Sequence, residues 1–252
     1  MSLLRVPWRL GLAIVYTLIG LLAVLTAGPR ARLSGRSAVR LRATATRRWG
    51  RRMTRALAVD VEVVGERPPA PFFLVCNHLT YLDIFLVAGA IECAFVAKSE
   101  VGQWPLFGTV ARAAGTLFVD RSLKRDIPRV LDEIRERMEQ GVGIVLFPEG
   151  TSSEGETILP FKSSLLEVAA RAEVPVYYAT VSYATPPGAK SARDAVCWVG
   201  DMSLVPHLLG LARLERIQAT IEFGSKGILE PDRKRLTAQL WEASMAQFRP
   251  VR

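Results

Sequence analysis

Phe72-Phe73-Leu74-Val75-Cys76-Asn77-His78-Leu79-Thr80-Tyr81-Leu82-Asp83 passes from an apolar pentad directly into a polar turn. Phe72–Cys76 follows the proline-rich turn at Pro68–Pro71 and reads as a short strand buried on both faces. An apolar helix pattern begins at Asp83. His78 therefore stands at the carboxyl end of a buried strand, where open α/β sheets gather reactive groups. The flanking chain has the same texture. Val59–Val63 alternates with period two, and Ala94–Ala97, Thr116–Val119, Gly143–Phe147, Val174–Val181, Ala195–Val199 and Ile217–Phe223 are further strand candidates. Helix patterns lie between them at Asp126–Gln140, Phe161–Arg171 and Arg233–Gln247. Alternation of this kind predicts an α/β fold, with a mostly parallel or mixed sheet flanked by helices.

Three sites along these strands carry chemistry. The first is His78 with Asp83. A carboxylate on one imidazole nitrogen fixes the tautomer and raises the basicity of the other nitrogen, which can then take a proton from a hydroxyl. Thr80-x-x-Asp83 also fits a helix N-terminal capping box, so the spacing alone leaves a purely structural role open. The second site is Gly115–Arg121, an apolar strand ending in Asp120-Arg121, where an arginine can clamp an anion. The third is Phe147-Pro148-Glu149-Gly150-Thr151-Ser152-Ser153, a tight turn whose hydroxyls and backbone N–H groups can cradle an oxyanion. Lys162 opens the next helix pattern and faces the same crevice. His207, beside Pro206 in an apolar helix pattern, reads as structural or interfacial rather than catalytic.

Charge divides the chain. The net charge is +9, yet residues 1–58 hold twelve arginines and no Asp, Glu or Lys; the rest carries 21 basic and 24 acidic groups. A membrane anchor and basic segment over 1–58 and a catalytic domain over 59–252 follow from that division. Leu10 to Ala27 is uncharged, and as a helix it spans roughly 27 Å, close to the hydrocarbon thickness. Its length exceeds a usual signal-peptide core, and ten arginines follow it, so retention as a membrane-anchoring helix is expected. The positive-inside rule puts residues 30 onward in the cytoplasm, on the inner membrane. Leu33, Val39, Leu41, Trp49, Met53 and Leu57 among the arginines of 30–55 read as an interfacial helix on anionic lipid. Nucleic acid is not expected as a partner, because no base-reading motif accompanies the basic run.

Several chemistries are excluded by what is missing. Three dispersed cysteines (Cys76, Cys93, Cys197) and two histidines encode neither a disulfide scaffold nor a metal site. No G-x-S-x-G elbow, dinucleotide glycine loop or Walker A sequence is present.

Taken in order, the three sites resemble the blocks of the lysophospholipid acyltransferase superfamily, and most closely the bacterial 1-acyl-sn-glycerol-3-phosphate acyltransferases. Asn77, His78 and Asp83 match the H-x4-D block, Gly115–Arg121 the G-x-x-F-V-D-R block, and Phe147–Ser153 the F-P-E-G-T-x-S block. Lys98, Glu100, Pro105 and Gly108 resemble the family's Lys-x-Glu…Pro-x-x-Gly stretch, and Val174-Pro175-Val176 resembles the start of a fourth block. The resemblance implies a membrane-bound O-acyltransferase. It would move a fatty acyl group from acyl-CoA or acyl-carrier protein, as co-substrate, to the free hydroxyl of a lysolipid; no cofactor is implied. On this pattern His78 is the base and Asp83 orients it. Arg121, Glu149, Gly150, Thr151, Ser152 and Lys162 hold the acceptor. Ser152 replaces the arginine usual in the third block, and Tyr178 the second proline usual in the fourth. 1-Acyl-sn-glycerol-3-phosphate is the expected acceptor. Lyso-ornithine lipid is the alternative, because Ser-Ser in the third block resembles enzymes that acylate it. A non-catalytic membrane-binding protein is the different-class alternative, and the intact His78 and Asp83 speak against it.

Overall fold

The computed structural model describes residues 4–105, 107–120 and 126–252. Three helices come first: α1 (Arg5–Leu25), α2 (Ala27–Ser34) and α3 (Ala38–Ala56). Next are β1 (Val59–Val64), β2 (Phe73–Cys76), α4 (Leu82–Ala90) and β3 (Cys93–Lys98), then a 3-10 turn at Ser99–Gln103. They are followed by α5 (Phe107–Ala114), β4 (Leu117–Val119), α6 (Asp126–Glu139), β5 (Gly143–Leu146) and α7 (Glu167–Arg171). The chain ends with β6 (Val176–Ala184), α8 (Ala192–Ala195), α9 (Leu204–Arg213), β7 (Ile217–Phe223) and α10 (Arg233–Gln247).

The strands form one mixed sheet in the order β1-β7-β6-β2-β5-β3-β4. Neighbours run parallel except β6 and β7. β2 lies between β5 and β6, and every residue of β2 and β5 is buried, as expected of strands covered on both faces. Alternate β2 side chains feed two cores. Leu74 and Cys76 join the core containing α4 and β7; Phe73 and Val75 join the core with α6, α7 and α10. Because β2 and β5 are parallel neighbours, the turns after both open at the same sheet edge.

Two expected elements differ. Ala195–Val199 is not a strand: Ala195 closes α8, and the irregular stretch after it buries Val196 and Cys197 completely. Burial of a loop produced the apolar pattern. The helix expected over Phe161–Arg171 shortens to α7, and Lys162 lies in the turn before it. The Lys162 N–H donates to the Pro148 carbonyl at 2.9 Å, and two serines follow, which compete poorly for helix.

The basic stretch is partly built into the domain. Ser37 caps α3, accepting from the Arg40 N–H. Leu41, Met53 and Leu57 are buried in protein rather than offered to lipid, and Val39 packs against a core; Leu33 alone of the six is fully exposed. Trp49 meets Phe85 edge-on at 4.9 Å and covers Gly20 of α1. At Gly50 the α3 and α4 backbones nearly touch. A Cβ there would stand 2.6 Å from the Phe85 carbonyl oxygen and 2.7 Å from the Gly89 nitrogen.

α1 is the one described helix long and apolar enough to cross a membrane, with a mean hydropathy of 2.0. One face docks on protein. Thr17 accepts from Trp49 Nε1 at 3.2 Å, and the Arg9 guanidinium donates to the Ala212 and Glu215 carbonyls at 3.1 and 2.9 Å, where α9 ends. The other face presents Trp8, Ile14, Leu18, Leu22 and Leu25 to the surroundings.

Gly50→Ala should therefore force α3 and α4 apart and cost about 1–3 kcal/mol in denaturant unfolding. Gly11→Ala, where nothing lies within 4 Å, should be neutral or slightly stabilising. Equal effects would mean that the close approach does not constrain the packing.

Candidate active site

The site is assembled at the shared edge of β2 and β5. Asn77 directly follows β2: its side-chain amide donates to the Val181 carbonyl at 3.1 Å, and its oxygen accepts from the Val181 N–H at 2.7 Å. That reciprocal pair clamps the start of the turn to β6. His78 Nδ1 lies 2.7 Å from Asp83 Oδ2, with Asp83 fully buried and the imidazole 22% exposed. The same Oδ2 accepts from the Leu79 and Thr80 N–H groups at 2.6 and 3.0 Å. The capping and orienting readings of Asp83 thus describe one carboxylate doing both. The forward half of the capping box is absent, since the Thr80 hydroxyl has no partner among the described residues. Asp83 Oδ1 accepts from the Tyr183 hydroxyl at 2.7 Å. A carboxylate accepting from Nδ1–H leaves Nε2 as the ring's basic nitrogen.

Glu149 lies directly behind the histidine. It is 1% exposed, and its two oxygens accept from the His78 N–H at 2.6 Å and the Leu159 N–H at 2.9 Å. Burial pushes its pKa up to about 7, although both N–H donors pull the other way. The turn is further tied by the Ser153 N–H, which donates to the His78 carbonyl at 2.9 Å. The imidazole stacks on Phe147 with centroids 4.3 Å apart, and Phe147 stacks on Phe95.

The other expected residues take separate places. Gly150 has φ +70°, and a Cβ there would come within 3.3 Å of Lys162 Nζ, so the ammonium lies against the turn. Thr151 and Lys162 are exposed. The Ser152 hydroxyl donates to the Trp198 carbonyl, which fastens the loop after α8 over the site. Arg121 lies outside the described residues. His207 bridges the Tyr81 hydroxyl and the Cys197 carbonyl at 3.0 and 3.2 Å, in keeping with a structural reading. Tyr183 and Trp198 carry no signal of this role in the sequence. Each lies far along the chain from the residue it supports, and no local pattern marks either.

This chain belongs to the acyltransferase family: the family model described as Acyltransferase matches residues 60–182. It is 35% identical over 218 residues to a Pseudomonas aeruginosa lyso-ornithine lipid O-acyltransferase, covering 85% of this chain and 82% of that protein. It is 30% identical over 167 residues to a Neisseria meningitidis 1-acyl-sn-glycerol-3-phosphate acyltransferase, covering 66% of each. Its fold matches the crystal structure of the Thermotoga maritima 1-acyl-sn-glycerophosphate acyltransferase with a TM-score of 0.66 at 22% identity, over 96% of this chain and 93% of that one.

Two outcomes test the site's wiring. Tyr183→Phe removes one donor from Asp83 and should lower kcat several-fold with the acceptor KM little changed; a KM effect alone would place Tyr183 in substrate binding. For Glu149, the folded pKa is raised, so its contribution to stability falls as pH rises from about 4.5 to about 7. The stability difference between wild type and Glu149→Gln should move against wild type by on the order of 3 kcal/mol across that window. A flat difference in denaturant unfolding would mean that Glu149 titrates normally.

Proposed function

We propose that the protein transfers a fatty acyl group from an acyl thioester to the free hydroxyl of a lysolipid, at the inner membrane, with the site on the cytoplasmic face. The observation that carries this reading is the His78–Asp83 pair at 2.7 Å, at the mouth of a strand edge, with Nε2 unbonded among the described residues. Nε2 takes the proton of the acceptor hydroxyl as its oxygen attacks the thioester carbonyl carbon. The tetrahedral intermediate collapses, the C–S bond breaks, and the imidazolium returns the proton to the departing thiolate. Asp83 holds the imidazolium while it exists. Transfer is direct. All three cysteines are buried, and burial raises their thiol pKa values, Cys197 to about 12, so none is an available thiolate nucleophile. The cytoplasmic assignment follows from the arginines after α1 and from the cytoplasmic supply of acyl-CoA and acyl-carrier protein.

Lyso-ornithine lipid is the acceptor best supported. Position 152 supplies a neutral hydroxyl already engaged by the Trp198 carbonyl, where a phosphate monoester would call for a cation. Identity to the lyso-ornithine lipid enzyme of P. aeruginosa is also higher and more extensive than to the N. meningitidis enzyme. This reverses the preference drawn from the sequence alone. Lysophosphatidic acid is the second reading, favoured by the Lys162 ammonium beside the Gly150 turn.

Membranes carrying the protein, supplied with each acceptor and each thioester donor, should acylate lyso-ornithine lipid faster. His78→Ala should lower that rate about 10²–10⁴-fold while folding survives. Near wild-type transfer by His78→Ala would overturn the mechanism. Ser152→Arg should weaken lyso-ornithine acylation and improve use of lysophosphatidic acid. No movement on either acceptor would place residue 152 outside the acceptor site.

A further inference from the structure

α1, α2 and α3 enclose a cavity of about 210 Å³ that shares no residue with the acyl-transfer site. Arg30, Arg36, Arg48 and Arg52 line it, over a floor that includes Ile19, Ala23 and Leu41. Four guanidinium groups at one small cavity repel one another unless an anion joins them. The three helices cannot supply one, since residues 1–58 contain no Asp or Glu. Among the described residues none of the four forms an ion pair; Arg52 has only the Tyr16 ring, 5.9 Å away. Other arginines of α3 are used by the protein: Arg47 reaches Glu92, and Arg51 Nε donates to the Gly89 carbonyl.

We propose that this cradle binds the phosphate of an anionic phospholipid of the host bilayer. Guanidinium forks match phosphate oxygens bidentately, which lysine or a diffuse charge does not. The floor distinguishes a lipid from a free anion. Ile19 lines the cavity and also belongs to the exposed apolar stripe of α1, so the cavity continues into the face on which acyl chains lie. The volume is below the roughly 300–1,000 Å³ of pockets that enclose whole ligands, which suits a head group whose chains remain outside. Seating one lipid here would add to the Trp49 and Arg9 contacts that already hold α1, with Trp8, Leu18 and Leu22 facing the hydrocarbon. The inference rests on membrane association and not on the choice of acceptor.

The test is native mass spectrometry of the full chain in uncharged detergent, titrated with phosphatidylglycerol or phosphatidylcholine. One phosphatidylglycerol should bind at least tenfold tighter than phosphatidylcholine. Arg30→Gln with Arg48→Gln should lose at least tenfold in that affinity, and the corresponding pair of lysine substitutions should retain part of it. Arg42→Gln with Arg55→Gln removes the same charge outside the cradle and should change affinity less than threefold. Thermal melts of all variants check that folding is kept. Equal loss in both glutamine pairs would mean diffuse charge attraction and would overturn the proposal. So would equal binding of phosphatidylcholine, displacement of the lipid by equimolar inorganic phosphate, or tighter binding of a DNA oligonucleotide. Acyl transfer measured on the same samples reports separately on the proposed function: its absence with selective lipid binding intact would count against the active-site reading alone.

Discussion

A single buried carboxylate organises the site. Asp83 has no solvent exposure, and an ion in that position is tolerated only when its oxygens are hydrogen-bonded. It receives four donors: the His78 ring, two backbone N–H groups of the same turn, and the Tyr183 hydroxyl. Each donor is delivered by a different level of structure. The backbone donors require the turn to wrap tightly between β2 and α4. The tyrosine requires β6 to run beside β2 in the observed register, which Asn77 locks at Val181. The imidazole needs its own backbone held, which Glu149 does from the neighbouring strand's turn. Loss of the sheet order would therefore leave a buried, unpaired charge as well as a dispersed site.

The parallel βα units and the turns that follow β2 and β5 were legible in the sequence because each is local. An apolar run of strand length followed by polar residues locates a strand end without knowledge of its neighbours. The long-range supports were not legible. Tyr183 lies 100 residues from Asp83, and the Trp198 carbonyl 46 residues from Ser152, so only the folded sheet brings them together. The same limit explains the false strand at Ala195–Val199: burial without a ladder partner leaves the same apolar signature as a strand. In the basic stretch the hydrophobic residues were read as facing lipid, because nothing local distinguishes lipid from the α4 surface. Gly50 is the residue that makes the difference, and its meaning depends on the backbone it touches.

The membrane and catalytic parts are mechanically continuous. α1 is held by Trp49 on α3 and, through Arg9, by the end of α9; α9 in turn carries His207, which bonds Tyr81 within the active-site turn. The apolar helix α1 is thus linked by direct contacts to the turn that holds the base. Such continuity suits an enzyme family whose acceptors reside in the bilayer, since orientation of α1 carries over to orientation of the site. In the basic segment Arg47 and Arg51 bond the domain, whereas Arg30, Arg36, Arg48 and Arg52, which line the α1–α2–α3 cavity, form no ion pair among the described residues.

Asp83 fixes His78 with the proton on Nδ1 and the lone pair on Nε2. The chain has only two histidines, so 15N NMR of histidine-labelled protein, with His207→Phe for assignment, reads it directly. Neutral His78 should show a protonated Nδ1 and an unprotonated Nε2, and Asp83→Asn should shift this balance. A neutral His78 carrying its proton on Nε2 would contradict it, because no base would then face the acceptor hydroxyl.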